Sequence, residues 1–353
     1  MIEGDIQTVG VVGAGTMGSG IAQLCAQNGL EVRLYDVSEG VLSRAEDRIL
    51  RGLERAEKPE AFSLIRKTTR LDVFSGCDVV IEAASEDLEL KKSIFLRLDA
   101  ILAPPRVLAT NTSSLSVERI ACATENPDRI VGMHFFNPVA VMRLVEIVRT
   151  PKSSEAAVRT VVGLAARLGK KVVHCKDTPG FIANRVTRPF YLEGMRLIEG
   201  GIGKPAAIDA ALRGCGGLRM GPFELMDLIG LDVNLAISTA IYEALGRPAR
   251  LKPCRIQQEL VRRGNLGRKN GQGFYLYGEN LPGTANPVLD DILKIIERPL
   301  PEREVVQAVI GGVIFEARQA VEEGVATPED IDATMRLGMN WPKGPFALAK
   351  EGF

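Results

Sequence analysis

The first 175 residues alternate short β-branched apolar runs with longer stretches of helical period. IQTVGVVGAG, EVRLYD, CDVVIEA, RVLATNTS, RIVGMHFF and RLVEIVRT read as strands, and KKVVHC (170–175) reads as the last strand of the series. The segments near 16–28, 87–102 and 153–168 carry the helical pattern. This alternation predicts a parallel sheet with helices on both faces. The charged stretch from Leu42 to Arg70 interrupts the rhythm and is expected to form one or two helices projecting from the sheet.

The texture changes at Pro179. FIANRVTRPFYLEGMRLIEGG is a long helical pattern that ends at Gly200 and Gly201, and further helices follow, broken by turns such as RMGPFE and LGRP. The chain also repeats itself. Residues 204–232 and 327–353 share a P-x-x-ID-A pattern, a glycine-containing turn, GPF and an apolar helix, and the second copy stops where the first continues. The expected organisation is a sheet domain over 1–180, an all-α domain over 181–298, and a partial duplicate of that domain over 299–353.

Composition narrows the field by exclusion. In 353 residues, Lys+Arg and Asp+Glu are both 44, so no global charge argues for nucleic acid or an anionic membrane. No apolar run is long enough to span a bilayer, and no membrane partner is expected. The N-terminus begins a strand almost at once, with no basic region or cleavage site, so no targeting signal is expected. Six cysteines, at 25, 77, 122, 175, 215 and 254, lie far apart with no CxxC pair. They suit reduced thiols in a cytoplasm rather than disulfides, and no metal site is expected.

VGVVGAGTMGSGIAQ spaces Gly13, Gly15 and Gly18 as G-x-G-x-x-G between a strand and a helix. Gly13 permits the tight turn, Gly15 the approach of a pyrophosphate, and Gly18 close helix–strand packing. A dinucleotide pyrophosphate would sit on the helix N-terminus, beside Thr16 and Met17. Asp36 ends the second strand, where a carboxylate accepts ribose hydroxyls and repels a 2′-phosphate. The pattern implies a Rossmann-type domain that takes NAD rather than NADP.

There are two histidines. His134 lies in MHFFNPVAVMRLVE, and Glu146 follows twelve residues later on what is expected to be a neighbouring strand. A carboxylate behind an imidazole selects its tautomer and stabilises the imidazolium, and oxidation of an alcohol needs a base for the hydroxyl proton. A lone histidine on an apolar strand is otherwise a core residue; His174 in VVHCKD has no such setting and reads as structural. NTSS (111–114) follows a strand end, where small hydroxyls and an amide reach ligands. Ser116 can cap the helix beginning near Val117 while Ser113 faces a substrate. Asn184, amid Phe181, Ile182, Ala183 and Val186, is a buried hydrogen-bonder or a substrate ligand.

Taken together, GAGTMGSGIAQ, VIEAASEDLELKK, NTSSLS, HFFNPVAVMRLVE, DTPGFIANR, GPFELMDLIGLD and GRKNGQGFY resemble the 3-hydroxyacyl-CoA dehydrogenase family, most closely its bacterial short-chain members. The resemblance covers most of residues 6–278. It implies NAD-dependent oxidation of a 3-hydroxyacyl-CoA by a catalytic His134–Glu146 pair, with Ser113 and Asn184 on the substrate oxygen. It implies further cofactor contacts at Glu86, Lys91, Asn111, Ser113, Asn137 and Lys269, and helical domains that pair as a homodimer. Without the family, Glu86 and Lys91 read as a solvated helix start. CoA phosphates are expected to meet Arg48, Arg51, Arg55 or Lys58. The rival readings are a dehydrogenase of a free 3-hydroxy or sugar acid, a redox sensor with the same fold, and a piece of a multifunctional β-oxidation protein.

Overall fold

The structure is a computed structural model that describes residues 6–278, 283–293 and 301–352. It divides into two units, Met1–Phe181 and Ile182–Phe353.

The first unit is built on an eight-stranded sheet. In chain order its elements are β1 (Thr8–Val12), α1 (Thr16–Gln27), β2 (Glu31–Tyr35), α2 (Glu39–Arg55), β3 (Ile65–Thr68), β4 (Val79–Glu82), α3 (Leu88–Ile101), β5 (Val107–Thr110), α4 (Val117–Ala121), β6 (Ile130–Phe135), β7 (Leu144–Arg149), α5 (Glu155–Arg167) and β8 (Lys171–Lys176). The strand order is β3-β2-β1-β4-β5-β6-β7-β8. Neighbours pair in parallel except β6 and β7, which are antiparallel. β4, β5 and β6 are buried at every position, as central strands covered on both faces must be, and this is why VVIE and VLAT carry no polar alternation. Order reverses between β1 and β4, and the crevice outside that switch point is where such sheets bind ligands.

The stretch from Leu42 to Arg70 corrects the sequence-based expectation. Its helix, α2, begins earlier, at Glu39, with the Ser38 hydroxyl accepting the Val41 N–H. It does not project from the sheet, because Leu42, Ala45, Ile49 and Leu53 form a buried stripe that packs α2 against α1. A single-turn segment, Pro59–Leu64, leads into β3, an edge strand paired with β2. Only Ile65 of IRKT is buried, so nothing in its composition marks it as a strand.

The second unit is helical apart from one small hairpin. It runs α6 (Ala183–Val186), α7 (Arg188–Glu199), α8 (Pro205–Gly214), α9 (Pro222–Ile229), α10 (Leu231–Ala244), α11 (Arg255–Arg262), β9 (Tyr275–Leu276), β10 (Thr284–Ala285), α12 (Val288–Ile292), α13 (Glu302–Glu322), α14 (Pro328–Gly338) and α15 (Pro345–Ala349). The long pattern after Pro179 is thus two helices meeting at Thr187, just before Pro189. The repeat is structural as well as sequential. Asp209 of α8 accepts the N–H groups of Phe223 and Glu224 at the start of α9. Asp332 of α14 accepts those of Phe346 and Ala347 at the start of α15, with the same spacing. Each aspartate supplies, from a neighbouring helix, the cap that its own glycine turn lacks. Helix α7 packs on α8 and α9, and α13 packs on α14 and α15.

Burial of charge ties the two copies together. Arg185, fully buried, is paired through Nε with Glu316 of α13 at 2.8 Å and through Nη1 with Glu323, the residue after α13, at 2.6 Å. Arg250 reaches Glu316 from the other side at 2.6 Å. A charge buried this deeply is tolerable only with such partners.

Candidate active site at the carboxyl edge of the sheet

The glycine turn sits between β1 and α1. Gly13 has φ +94°, which favours glycine, and a Cβ there would lie 2.6 Å from the Ala83 carbonyl oxygen. A Cβ on Gly18 would strike the Gly13 carbonyl, so both glycines are fixed by close approach. Gly15 is exposed and a Cβ on it would meet nothing, which leaves its backbone open to a ligand. Helix α1 has no side-chain cap, whereas α2, α3, α4 and α5 are capped by Ser38, Asp87, Ser116 and Ser154. Its first-turn N–H groups, beside exposed Thr16 and half-buried Met17, suit an anion.

Asp36 stands at the end of β2. Its Oδ2 accepts the Ala14 N–H at 2.9 Å and its Oδ1 accepts the Ser38 N–H at 3.1 Å. It borders a cavity of about 410 Å³ whose walls include Gly13, Gly15, Tyr35, Val37 and Ala84. An uncapped helix start, an open Gly15 and a carboxylate on one cavity fit the pyrophosphate and adenosine ribose of NAD.

Beyond β4 lies a network that the sequence only partly discloses. Lys91 is 1% exposed and pairs with fully buried Glu82 at 2.6 Å, with Glu86 Oε2 3.5 Å away. It is therefore no solvated helix start. Glu82 is held by the Thr110 hydroxyl at 2.7 Å and the Ala84 N–H at 2.7 Å. Glu86 Oε1 accepts the Thr112 hydroxyl at 2.6 Å, the N–H groups of Ser113 and Ser114 at 2.9 and 3.1 Å, and both serine hydroxyls. Burial works to raise the Glu86 pKa, yet the Thr112 hydrogen bond and the Lys91 charge outweigh it and hold the carboxyl below its usual value. Glu86 thus shapes the NTSS loop as an organising anion. Asn111, in the same loop, uses Oδ1 to accept the Phe135 N–H at 2.8 Å, tying the loop to the end of β6. Ser116 caps α4, and its hydroxyl also donates to Asp177 at 2.8 Å.

His134 and Glu146 face one another across the antiparallel β6–β7 pair, in register. His134 Nδ1 lies 2.7 Å from Glu146 Oε2, with the imidazole nearly buried and the carboxylate fully so. The ring packs between Phe136, 4.7 Å away, and Phe181, 5.9 Å away. A carboxylate can only accept at that distance, so Nδ1 is the donating nitrogen of this hydrogen bond. Asn137 is exposed just beyond β6. His174 is exposed on β8, outside this group.

Gly13, Glu82, Asn111 and His134 come at or just after the ends of β1, β4, β5 and β6. Because those strands are parallel, their chemistry gathers on one edge of the sheet. The remaining predicted residues lie in the helical unit. Asn184 is half-buried in α6. Lys269 pairs with Asp232 at 2.5 Å. Sequence reasoning missed Glu82, whose one signal is an acid closing an otherwise apolar strand, and Thr112, which carries none.

Comparison with known proteins agrees with this geometry. The family described as 3-hydroxyacyl-CoA dehydrogenase matches through its NAD binding domain at residues 8–178 and its C-terminal domain at 180–277 and 305–351. A 3-hydroxyadipyl-CoA dehydrogenase of Escherichia coli is 36% identical over 98% of this chain and 91% of its own length. A 3-hydroxybutyryl-CoA dehydrogenase of Mycobacterium tuberculosis is 41% identical over 77% of this chain and 99% of its own. The crystal structure of a 3-hydroxybutyryl-CoA dehydrogenase from Escherichia coli K12 superposes with a TM-score of 0.89 at 34% identity, covering 98% of this chain and 92% of that one. The chain belongs to the 3-hydroxyacyl-CoA dehydrogenase family.

Proposed function

We propose that the chain catalyses the reversible, NAD-dependent oxidation of a (S)-3-hydroxyacyl-CoA to the 3-ketoacyl-CoA. The observation that carries this reading is the buried His134–Glu146 pair, on the same sheet edge as the glycine turn. When bound, NAD supplies the hydride acceptor for C3. His134 takes the 3-hydroxyl proton at Nε2, the nitrogen that Glu146 leaves free. Glu146 then stabilises the imidazolium from Nδ1. Ser113 and Asn184 hold the 3-oxygen and orient C3.

A second cavity in the sheet unit, of about 640 Å³, supports the thioester over a free acid. Arg48, Arg51 and Arg55 line it from one face of α2, with Pro138, Ala140 and Val141 as an apolar wall. The Arg51 and Arg55 guanidiniums beside apolar surface suit the phosphates and pantetheine arm of CoA, while Arg48 donates to Ser19 Oγ at 3.2 Å and to the Ala14 carbonyl at 2.7 Å. Lys58 instead donates to the Gln27 carbonyl at 2.9 Å.

None of the six cysteines is in a disulfide, which fits a reducing cytoplasm. Among the described residues no single helix is long and apolar enough to cross a membrane. The exposed apolar side chains Leu228, Ile229 and Val233 favour a homodimer, which light scattering on the full chain tests; a monomer at micromolar concentration would contradict it. The activity is tested by NADH absorbance with acetoacetyl-CoA beside free acetoacetate and a keto sugar acid. Turnover confined to the thioester supports the reading, and preference for a free acid overturns it.

A further inference from the structure

Arg188, at the start of α7, is a buried charge with no counter-ion among the described residues. It is 3% exposed. The other two arginines buried among the described residues are each neutralised, Arg129 by Asp99 and Arg185 by Glu316 and Glu323. Buried Lys170 rests on two backbone carbonyls and could shed its proton, an option closed to an arginine. Arg188 meets only neutral groups among the described residues. Its Nε donates to the Asn184 carbonyl at 2.7 Å, its Nη1 donates to Ser238 Oγ at 3.1 Å and to the Asn234 carbonyl at 3.4 Å, and its guanidinium lies over the Tyr191 ring at 4.8 Å. Burial, unopposed by any carboxylate, lowers its pKa.

The neighbours are unsatisfied too. The Tyr191 hydroxyl and Asn234 Nδ2 are buried with no hydrogen-bond partner among the described residues, and both residues touch Arg188. Each unmade bond and each uncompensated charge costs stability. Water would satisfy two neutral donors but would leave the charge unanswered. A carboxylate would answer the charge.

Resting on the proposed function, in which Asn184 holds the 3-oxygen, we infer that Arg188 is a specificity-determining residue that binds a carboxylate at the far end of the acyl chain. Arg188 follows Asn184 by four residues, about 6 Å of helix. Three carbon–carbon bonds beyond C3 span roughly 4 Å, and the carboxylate oxygens reach further. The favoured substrate is therefore a 3-hydroxyacyl-CoA that ends in a second carboxylate, of about six carbons.

The test compares kcat/KM for 3-hydroxyadipyl-CoA with that for 3-hydroxyhexanoyl-CoA, equal in length but uncharged at the end. Wild type is expected to favour the diacid about 100-fold, the worth of one charge-assisted pair. Arg188→Met is expected to bring the ratio to about one, and Arg188→Lys to keep part of it. Because the result is a ratio, general damage to the enzyme cancels. If Arg188→Met does not fold, inhibition of wild type decides: adipyl-CoA is expected to bind at least tenfold tighter than hexanoyl-CoA. Equal rates or equal inhibition in wild type, or an unchanged ratio in Arg188→Met, overturn the assignment of Arg188. Failure to oxidise either thioester would instead overturn the proposed function itself.

Discussion

Asp36 Oδ2 accepts the backbone N–H of Ala14 at 2.9 Å, so the carboxylate proposed to meet the ribose also braces the glycine turn. Specificity and loop geometry therefore rest on one side chain. Asp36→Ala is expected to weaken NADH binding by about tenfold or more and to relax rejection of NADPH. Asp36→Asn keeps an acceptor for Ala14 and is expected to spare the turn while still admitting the 2′-phosphate. Fluorescence titration of the two cofactors checks both variants. Equal use of NAD and NADP by the wild type would remove the argument.

The Glu82–Lys91 pair is dry on both sides, 0% and 1% exposed. Removing one partner leaves a buried charge, so Glu82→Gln or Lys91→Met is expected to cost about 3–5 kcal/mol. The double variant is expected to recover part of that loss, because neither member of the dry pair is left charged and alone, while half-exposed Glu86 loses its 3.5 Å ion pair with Lys91. Thermal denaturation of the four proteins completes the cycle; strictly additive losses would show that the two residues are not coupled.

Glu86 gathers Thr112, Ser113 and Ser114 only while it is ionised. Its folded pKa lies below the ordinary 4.5, so the stabilisation is present above that value and is lost as pH falls through the lower folded one. Protection of the Ser113 and Ser114 amides from hydrogen exchange is expected to be full above pH 4.5 and to fall in more acid solution. Glu86→Gln is expected to remove this dependence. Protection that fades already near neutrality would contradict it.

How much of this was legible depends on range. The glycine turn, Asp36 and the flanking β1 and β2 are local, and strand period, glycine spacing and helix pattern mark them together. His134 and Glu146 were legible because a short antiparallel connection brings residues twelve apart into register. β3 was not, because an edge strand with one buried residue has no apolar signature. The contribution of α13 was not either. Arg185 and Glu316 are 131 residues apart, and nothing local in an arginine or a glutamate announces that it will be buried against the other. Nothing in the local sequence singles out Arg188. Only the fold shows that it is enclosed.

The central claim is that His134 is the acid/base, held in its working tautomer by Glu146. Steady-state reduction of acetoacetyl-CoA by NADH, comparing wild type with His134→Gln, tests it most directly. The account predicts a loss of turnover on the order of 10²–10⁴ with NADH binding intact, and a smaller loss for Glu146→Gln. Near-normal turnover by His134→Gln would contradict it.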